Sequence, residues 1–212
     1  INKYEDNTMD KTILEIEKTF RPDYEERDFD GLTSLHIAAN EGNSEKVIAL
    51  LNNGSDINAV TNYWHTPLHY AVNRGGYEIV KILLERGAKV NVLSNFDYTP
   101  LHFAANHGKL REASLLIEHG APLNIQNTFG HTPLHCAVNH TRIFLECDDC
   151  VERGKYKYCW GVHGRIEVAK LLIEKGARMH LEDGDGNTPL YLAIKNGYPE
   201  VVESIHVKLK IV

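Results

Sequence analysis

The sequence predicts an all-α chain assembled from repeated helix–turn–helix units, and three observations carry that prediction. The first is a tetrapeptide: Thr33-Ser34-Leu35-His36, Thr66-Pro67-Leu68-His69, Thr99-Pro100-Leu101-His102 and Thr132-Pro133-Leu134-His135 recur every 33 residues. The second is its chemistry. A Thr hydroxyl caps a helix N-terminus, and Pro in the next position gives up no hydrogen bond and already has a helical φ, so a helix starts at each Thr. The third is Gly42, Gly75 and Gly108, each nine residues after its Thr and suited to a left-handed helix end. A fifth copy, Thr188-Pro189-Leu190-Tyr191, comes 56 residues after the fourth, which is 33 plus 23, so the fourth unit carries an insertion.

Taken in order, residues 7–20 place Ile13, Leu14, Ile16 and Phe20 on one apolar side and read as an N-terminal helix that covers the first repeat, with 21–28 as its connector. Residues 1–28 are therefore a capping segment and 29–212 the five repeats. Each first helix carries Leu and Ala at its buried positions: Leu35, Ala38 and Ala39; Leu68 and Ala71; Leu101, Ala104 and Ala105; Leu134 and Ala137; Leu190 and Ala193. Small Ala lets neighbouring helices approach closely. A second, amphipathic helix follows, as in Glu78-Ile79-Val80-Lys81-Ile82-Leu83-Leu84. It stops at Gly54, Gly87, Gly120 or Gly176, and about ten residues of turn character lead to the next Thr. The last unit has Ile205-His206-Val207 where Leu-Leu and a closing Gly are expected, which marks a capping repeat or the end of the segment.

Composition excludes several classes. With 42% hydrophobic and 25% charged residues among 212, the chain can bury a core. No apolar run is long enough to span a membrane, and no charged, apolar, small-residue leader opens the chain. A net charge of -6 argues against a nucleic-acid binder, since phosphate contacts need a basic face. No Gly-rich phosphate loop, His-Glu-x-x-His or Gly-x-Ser-x-Gly motif nominates an enzyme.

The repeated tetrapeptide, the glycines and the period closely resemble the ankyrin repeat, over residues 29–207. The resemblance implies a solenoid of paired antiparallel helices joined by projecting β-hairpin loops, each unit burying its faces against its neighbours. It implies a non-enzymatic module, monomeric by itself, that binds a protein or extended peptide through the hairpin tips and the concave side of the first helices. It also implies an intracellular setting, cytoplasmic or nuclear, or a host cell if the source is a pathogen. Ser34 replaces the motif Pro, and Trp64 and Asp97 stand at a hairpin position that is usually Gly.

Carried onto this chain, the partner-binding positions are Phe29, Leu32, Tyr63, His65, Phe96, Tyr98, Phe129 and His131 at the tips, with Arg74, His107 and His140 on the first helices. Tyr63, Phe96 and Phe129 recur at the repeat spacing and are expected to form an aromatic row. Aromatic side chains at exposed tips mark a binding site, because large exposed apolar patches and Tyr or Trp anchors are typical of interfaces; alternatively, neighbouring rings pack on each other and stiffen the hairpins. Two other readings stay open: the targeting segment of a longer enzyme or host-directed effector, and an inhibitor of a signalling protein.

Twelve His and four Cys invite a metal reading. His36, His69, His102 and His135 lie one repeat apart, too distant to share an ion, so each is expected to hydrogen-bond backbone in its own or an adjacent turn. Cys136 occupies the packing position of Ile37, Tyr70 and Phe103. In the insertion, at about 141–163, Cys147-x2-Cys150 and Cys159-x3-His163 supply the ligand set of a closed tetrahedral zinc site. One competing reading extends the first helix through Ile143, Phe144 and Leu145 and leaves the thiols unligated; others are a structural disulfide, disfavoured in a reducing compartment, and a Cys–His catalytic pair, which lacks a third group. Finally, the resemblance implies an asparagine hydroxylation site at Asn58, eight residues after Leu50 and preceded by Asp56-Ile57; the alternative is that this Asn only stabilises its turn.

Overall fold

The computed structural model describes residues 27–139 and 160–210. Among these it contains ten α-helices in five pairs: α1 (Ser34–Glu41) with α2 (Ser44–Asn52), α3 (Pro67–Arg74) with α4 (Tyr77–Glu85), α5 (Pro100–Asn106) with α6 (Leu110–Glu118), α7 (Pro133–Val138) with α8 (Trp160–Glu174), and α9 (Pro189–Lys195) with α10 (Pro199–Lys210). The odd-numbered helices pack in sequence as one layer and the even-numbered helices as a second, so each repeat touches its neighbours and little else. The expected capping helix over 7–20 lies outside the described residues.

The core runs the length of the stack. Leu35, Leu68, Leu101 and Leu134 are fully or almost fully buried, and Ala38, Ala71, Ala104, Ala137 and Ala193 beside them have no exposed surface. Burial of each Leu contributes about 2 kcal/mol. Val80, Leu83, Leu116, Val168 and Leu172 close the core from the second layer. Leu190, in the last repeat, is only half-buried. No helix among the described residues is long and apolar enough to cross a membrane.

Helix ends follow the glycines. Gly42 and Gly75 cap α1 and α3 in the left-handed region, with φ of 80° and 84°. Helix α8 begins at Trp160, so residues 160–163 of the expected insertion belong to a helix longer than its 9-residue counterparts α2, α4 and α6. Helix α10 lacks a closing Gly and continues to Lys210.

Cations staple one repeat to the next at the C-terminal ends of the first helices. Arg74 Nη1 donates to the Asn40 carbonyl at 2.6 Å, Lys109 Nζ to Arg74 O at 3.4 Å, and Arg165 Nε to Asn106 O at 2.7 Å. These bonds satisfy carbonyls that a helix end leaves without an intrahelical donor.

Candidate functional site

Five loops of one design project from the stack at 28–32, 61–65, 94–98, 127–131 and 183–187. In every loop the first N–H donates to the fifth carbonyl at 2.8–3.1 Å, and the fourth N–H to the first carbonyl at 2.8–3.0 Å. These are tight turns rather than extended hairpins; the β pairing among the described residues is an isolated bridge between Arg27 and Thr33. The loops are also bonded to one another. Asn62, Asn95, Thr128 and Gly184 each donate a backbone N–H to the preceding loop, at Asp30, Tyr63, Phe96 and Phe129.

The first residue of each loop is short and polar; in the third loop Ser94 Oγ donates to the Asn95 carbonyl at 3.2 Å, and in the other four this residue organises the turn. Asp28 Oδ1, Thr61 Oγ1, Asn127 Oδ1 and Asp183 Oδ1 each accept two N–H groups from their own loop. The fourth residue has a left-handed backbone in all five: Gly31, Trp64, Asp97, Gly130 and Gly186. Trp64 and Asp97 thus occupy the glycine position with glycine's conformation, which costs a residue with a Cβ about 1–2 kcal/mol.

Buried histidines support the loops from below. Nδ1 of His36, His69, His102 and His135 accepts the backbone N–H of the Thr that caps its own helix, at 3.1–3.2 Å. Nε2 therefore carries the proton and donates to a carbonyl in the next loop: His65, Tyr98, His131 and Asn187 respectively, at 3.0–3.2 Å. Each imidazole thus completes a capping box and binds the loop of the following repeat, as the spacing argument required. Burial holds these rings neutral, pushing His69 down to about 3 and His102 to about 4. In the fifth repeat Tyr191 replaces the histidine and is half exposed.

Above this scaffold lies an aromatic surface. Tyr63, Phe96 and Phe129 are 51, 56 and 51% exposed, and Trp64 is 62% exposed. Tyr63, His65, Phe96, Tyr98, Phe103 and Asn106 line an open groove of about 300 Å³ between the second and third loops and the first helices. His65 lines it, with ring contacts to His69, Tyr70 and Phe103 at 5.6, 5.9 and 5.5 Å respectively. Burial lowers the His65 pKa below the usual imidazole value. Tyr98 packs on His102 and Phe103, and burial first, then Cys136, raises its phenol pKa.

The expected aromatic row is only partly continuous. Phe96 and Phe129 are 5.9 Å apart, whereas Tyr63 makes its ring contact with His65 at 6.5 Å. Phe96 itself is left-handed, with φ of 62°, which Tyr63 and Phe129 are not. Phe29 is fully exposed but stands one position before the row, in register with Asn62 rather than Tyr63. Leu32 is half-buried. His131 contacts Phe129 and His135 and lies 3.6 Å from the buried Asp183 carboxylate. Burial acts to raise the Asp183 pKa, but hydrogen bonds from Asn187 and Asp185 and the neighbouring His131 bring it below the ordinary value. His107 is exposed beside Phe103, and Arg74 is committed to its interrepeat bond. Sequence reasoning missed Tyr70, Phe103 and the loop-organising residues as parts of this surface.

Asn58 is half-buried and joins two repeats, its Oδ1 accepting the Lys89 N–H at 2.8 Å, as Asn124 does from Arg178 at 2.7 Å. Cys136 is a packing residue, buried enough to raise its thiol to about 12. His140, Cys147, Cys150 and Cys159 lie outside the described residues; His163 is exposed near the start of α8. The zinc reading therefore rests on ligand spacing.

Comparison with known proteins agrees with this architecture. Residues 5–94 match a family model described as ankyrin repeats in three copies, and residues 83–137 and 158–203 match models described as ankyrin repeats in many copies. The chain belongs to the ankyrin-repeat family. It is also similar to protein phosphatase 1 regulatory subunit 27 of Mus musculus and of Homo sapiens, 45% identical over 38 residues in each case. That stretch is 18% of this chain and 25% of the relative, so the chain spans about a quarter of the length of the curated relatives it matches.

Proposed function

We propose that this chain is a non-enzymatic module that seats a protein or extended peptide along the loop row and the groove beneath it. One observation carries the reading: half-exposed aromatic side chains, repeated at Tyr63, Phe96 and Phe129, crown a surface whose backbone is fixed by interloop bonds and buried histidines. Such a surface presents apolar anchors with little conformational entropy left to lose on binding. The left-handed Trp64 supports the same reading, since strain in a loop persists where side-chain placement matters more than stability. The 38 residues shared with the phosphatase regulatory subunits are about one repeat long. They support the repeat scaffold and do not select a phosphatase as partner.

The test is direct. With a partner recovered by affinity capture from the native cell, Tyr63→Ala combined with Phe96→Ala is expected to weaken binding by about 2 kcal/mol or more, with an unchanged unfolding midpoint. Equal affinity in the double variant overturns the reading.

A further inference from the structure

The groove has an electrostatic frame that the aromatic row does not explain. The five loops together hold 25 residues, five in each; Asp28, Asp30, Asp97, Asp183 and Asp185 are among them, and none is Lys or Arg. Two Asp stand at each end of the row and Asp97 at its centre, around the aromatic segment from Tyr63 to Phe129. Asp30, Asp97 and Asp185 are exposed. Their field reaches inward: after burial, the charges of Asp30 and Asp28 are the next causes that raise the Tyr70 hydroxyl pKa. Arg27 lies just before the first loop and donates to the Val60 carbonyl at 2.6 Å, while Arg74, Lys109 and Arg165 are held at the opposite ends of the first helices by the carbonyls of Asn40, Arg74 and Asn106.

We infer that the occupant of the groove is an extended peptide segment in which aromatic or large apolar side chains alternate with Lys or Arg. Apolar side chains enter between Tyr63, Phe96, Tyr98 and Phe103, and the flanking cations meet Asp30, Asp97 and Asp185. Exposed aromatic faces add to the preference, because a guanidinium or ammonium is drawn to a ring face. An acidic segment meets like charge at the first, third and fifth loops, which disfavours it by repulsion. This inference rests on the interaction reading above and specifies the partner chemistry for the same surface.

Selection of random twelve-residue peptides on the immobilised 212-residue chain tests it, followed by titration of the enriched peptides at low and at high salt. Two variants accompany the parent: Tyr63→Ala with Phe96→Ala, and Asp30→Asn with Asp97→Asn and Asp185→Asn. Asn keeps the left-handed backbone accessible at position 97. The expected result is enrichment of peptides with net positive charge. Their affinity falls at least tenfold in the aromatic variant and at least fivefold in the Asn variant, and the Asn variant loses most of the salt dependence. Groove-dependent peptides that are neutral or acidic, or that bind the Asn variant as tightly as the parent, overturn the charge assignment and leave the interaction reading intact. Peptides indifferent to both variants, or no enrichment, overturn both.

Discussion

The second and third loops and the fourth and fifth loops share one hydrogen-bond design, yet they treat its left-handed position in opposite ways. The first pair places Trp64 and Asp97 there; the second pair places Gly130 and Gly186. At the fourth loop glycine is a steric necessity, because a Cβ at Gly130 would stand 2.6 Å from the Gly184 nitrogen and 2.8 Å from the Asp183 carbonyl carbon. In the middle of the stack the chain accepts backbone strain and gains exposed side chains beside the groove. The difference separates the fourth loop, shaped by close packing against the fifth, from the second and third, shaped by what they display.

The largest expected effect comes from the struts under the central loops. His69 and His102 hold loops three and four through Tyr98 O and His131 O, and their folded pKa values of about 3 and about 4 lie below the unfolded value of 6.5. The unfolded chain therefore takes up protons first as the pH falls. The stability these two groups provide is fully present above pH 6.5 and is lost as the pH drops towards 4 and then 3. Each contributes a slope of about 1.4 kcal/mol per pH unit within that window. Denaturant melts between pH 7.5 and 5 should show this loss, and His102→Gln should flatten it. A parent profile that is level from pH 6.5 to 5 would falsify the assignment of these rings as neutral, buried donors.

Next in size is the contrast between the two glycines. Gly130→Ala combines left-handed strain with a backbone clash that cannot relax without disturbing the Gly184–Phe129 bond, and should cost about 3 kcal/mol. Gly186→Ala has no heavy atom within 4 Å of the new Cβ and bears the strain alone, about 1 kcal/mol. Equal losses in the two variants would show that conformation, and not close approach of the loops, governs this end of the stack.

Much of this arrangement is legible in the residues themselves. The Thr caps, the buried Leu and Ala, the glycine stops and the backbone-bonding role of the four histidines follow from residue chemistry at a fixed period, because each position repeats the same residue or nearly so. The loop-organising position is different. Asp28, Thr61, Asn127 and Asp183 do one job with three residue types, so identity at the repeat spacing does not reveal it; only the shared ability of a short side chain to accept two N–H groups does. The inward part of the groove was hidden for another reason. Tyr70 and Phe103 look like core residues by register, and only the packing of the first helices leaves them half-buried against His65. Similarly, the period alone suggests a continuous aromatic row, because it carries no information about local backbone conformation, such as the left-handed turn at Phe96.

The smallest effect addresses the strained side of the comparison. Replacing Trp64 by Gly removes about 1–2 kcal/mol of left-handed strain but adds back about 0.5–1 kcal/mol of unfolded-state entropy. The net expectation is a gain of about 0.5–1 kcal/mol in stability. At Asp97 the gain should be nearer zero, because Asp tolerates this conformation better and its Oδ2 accepts the Thr128 hydroxyl at 2.9 Å. Trp64→Gly should therefore raise the unfolding midpoint while weakening any partner of the groove, and Asp97→Gly should leave the midpoint near the parent value. A Trp64→Gly protein that is less stable than the parent would mean that the indole contributes packing worth more than its strain. The second loop would then belong with the fourth and fifth, as a segment shaped by the stability of the stack.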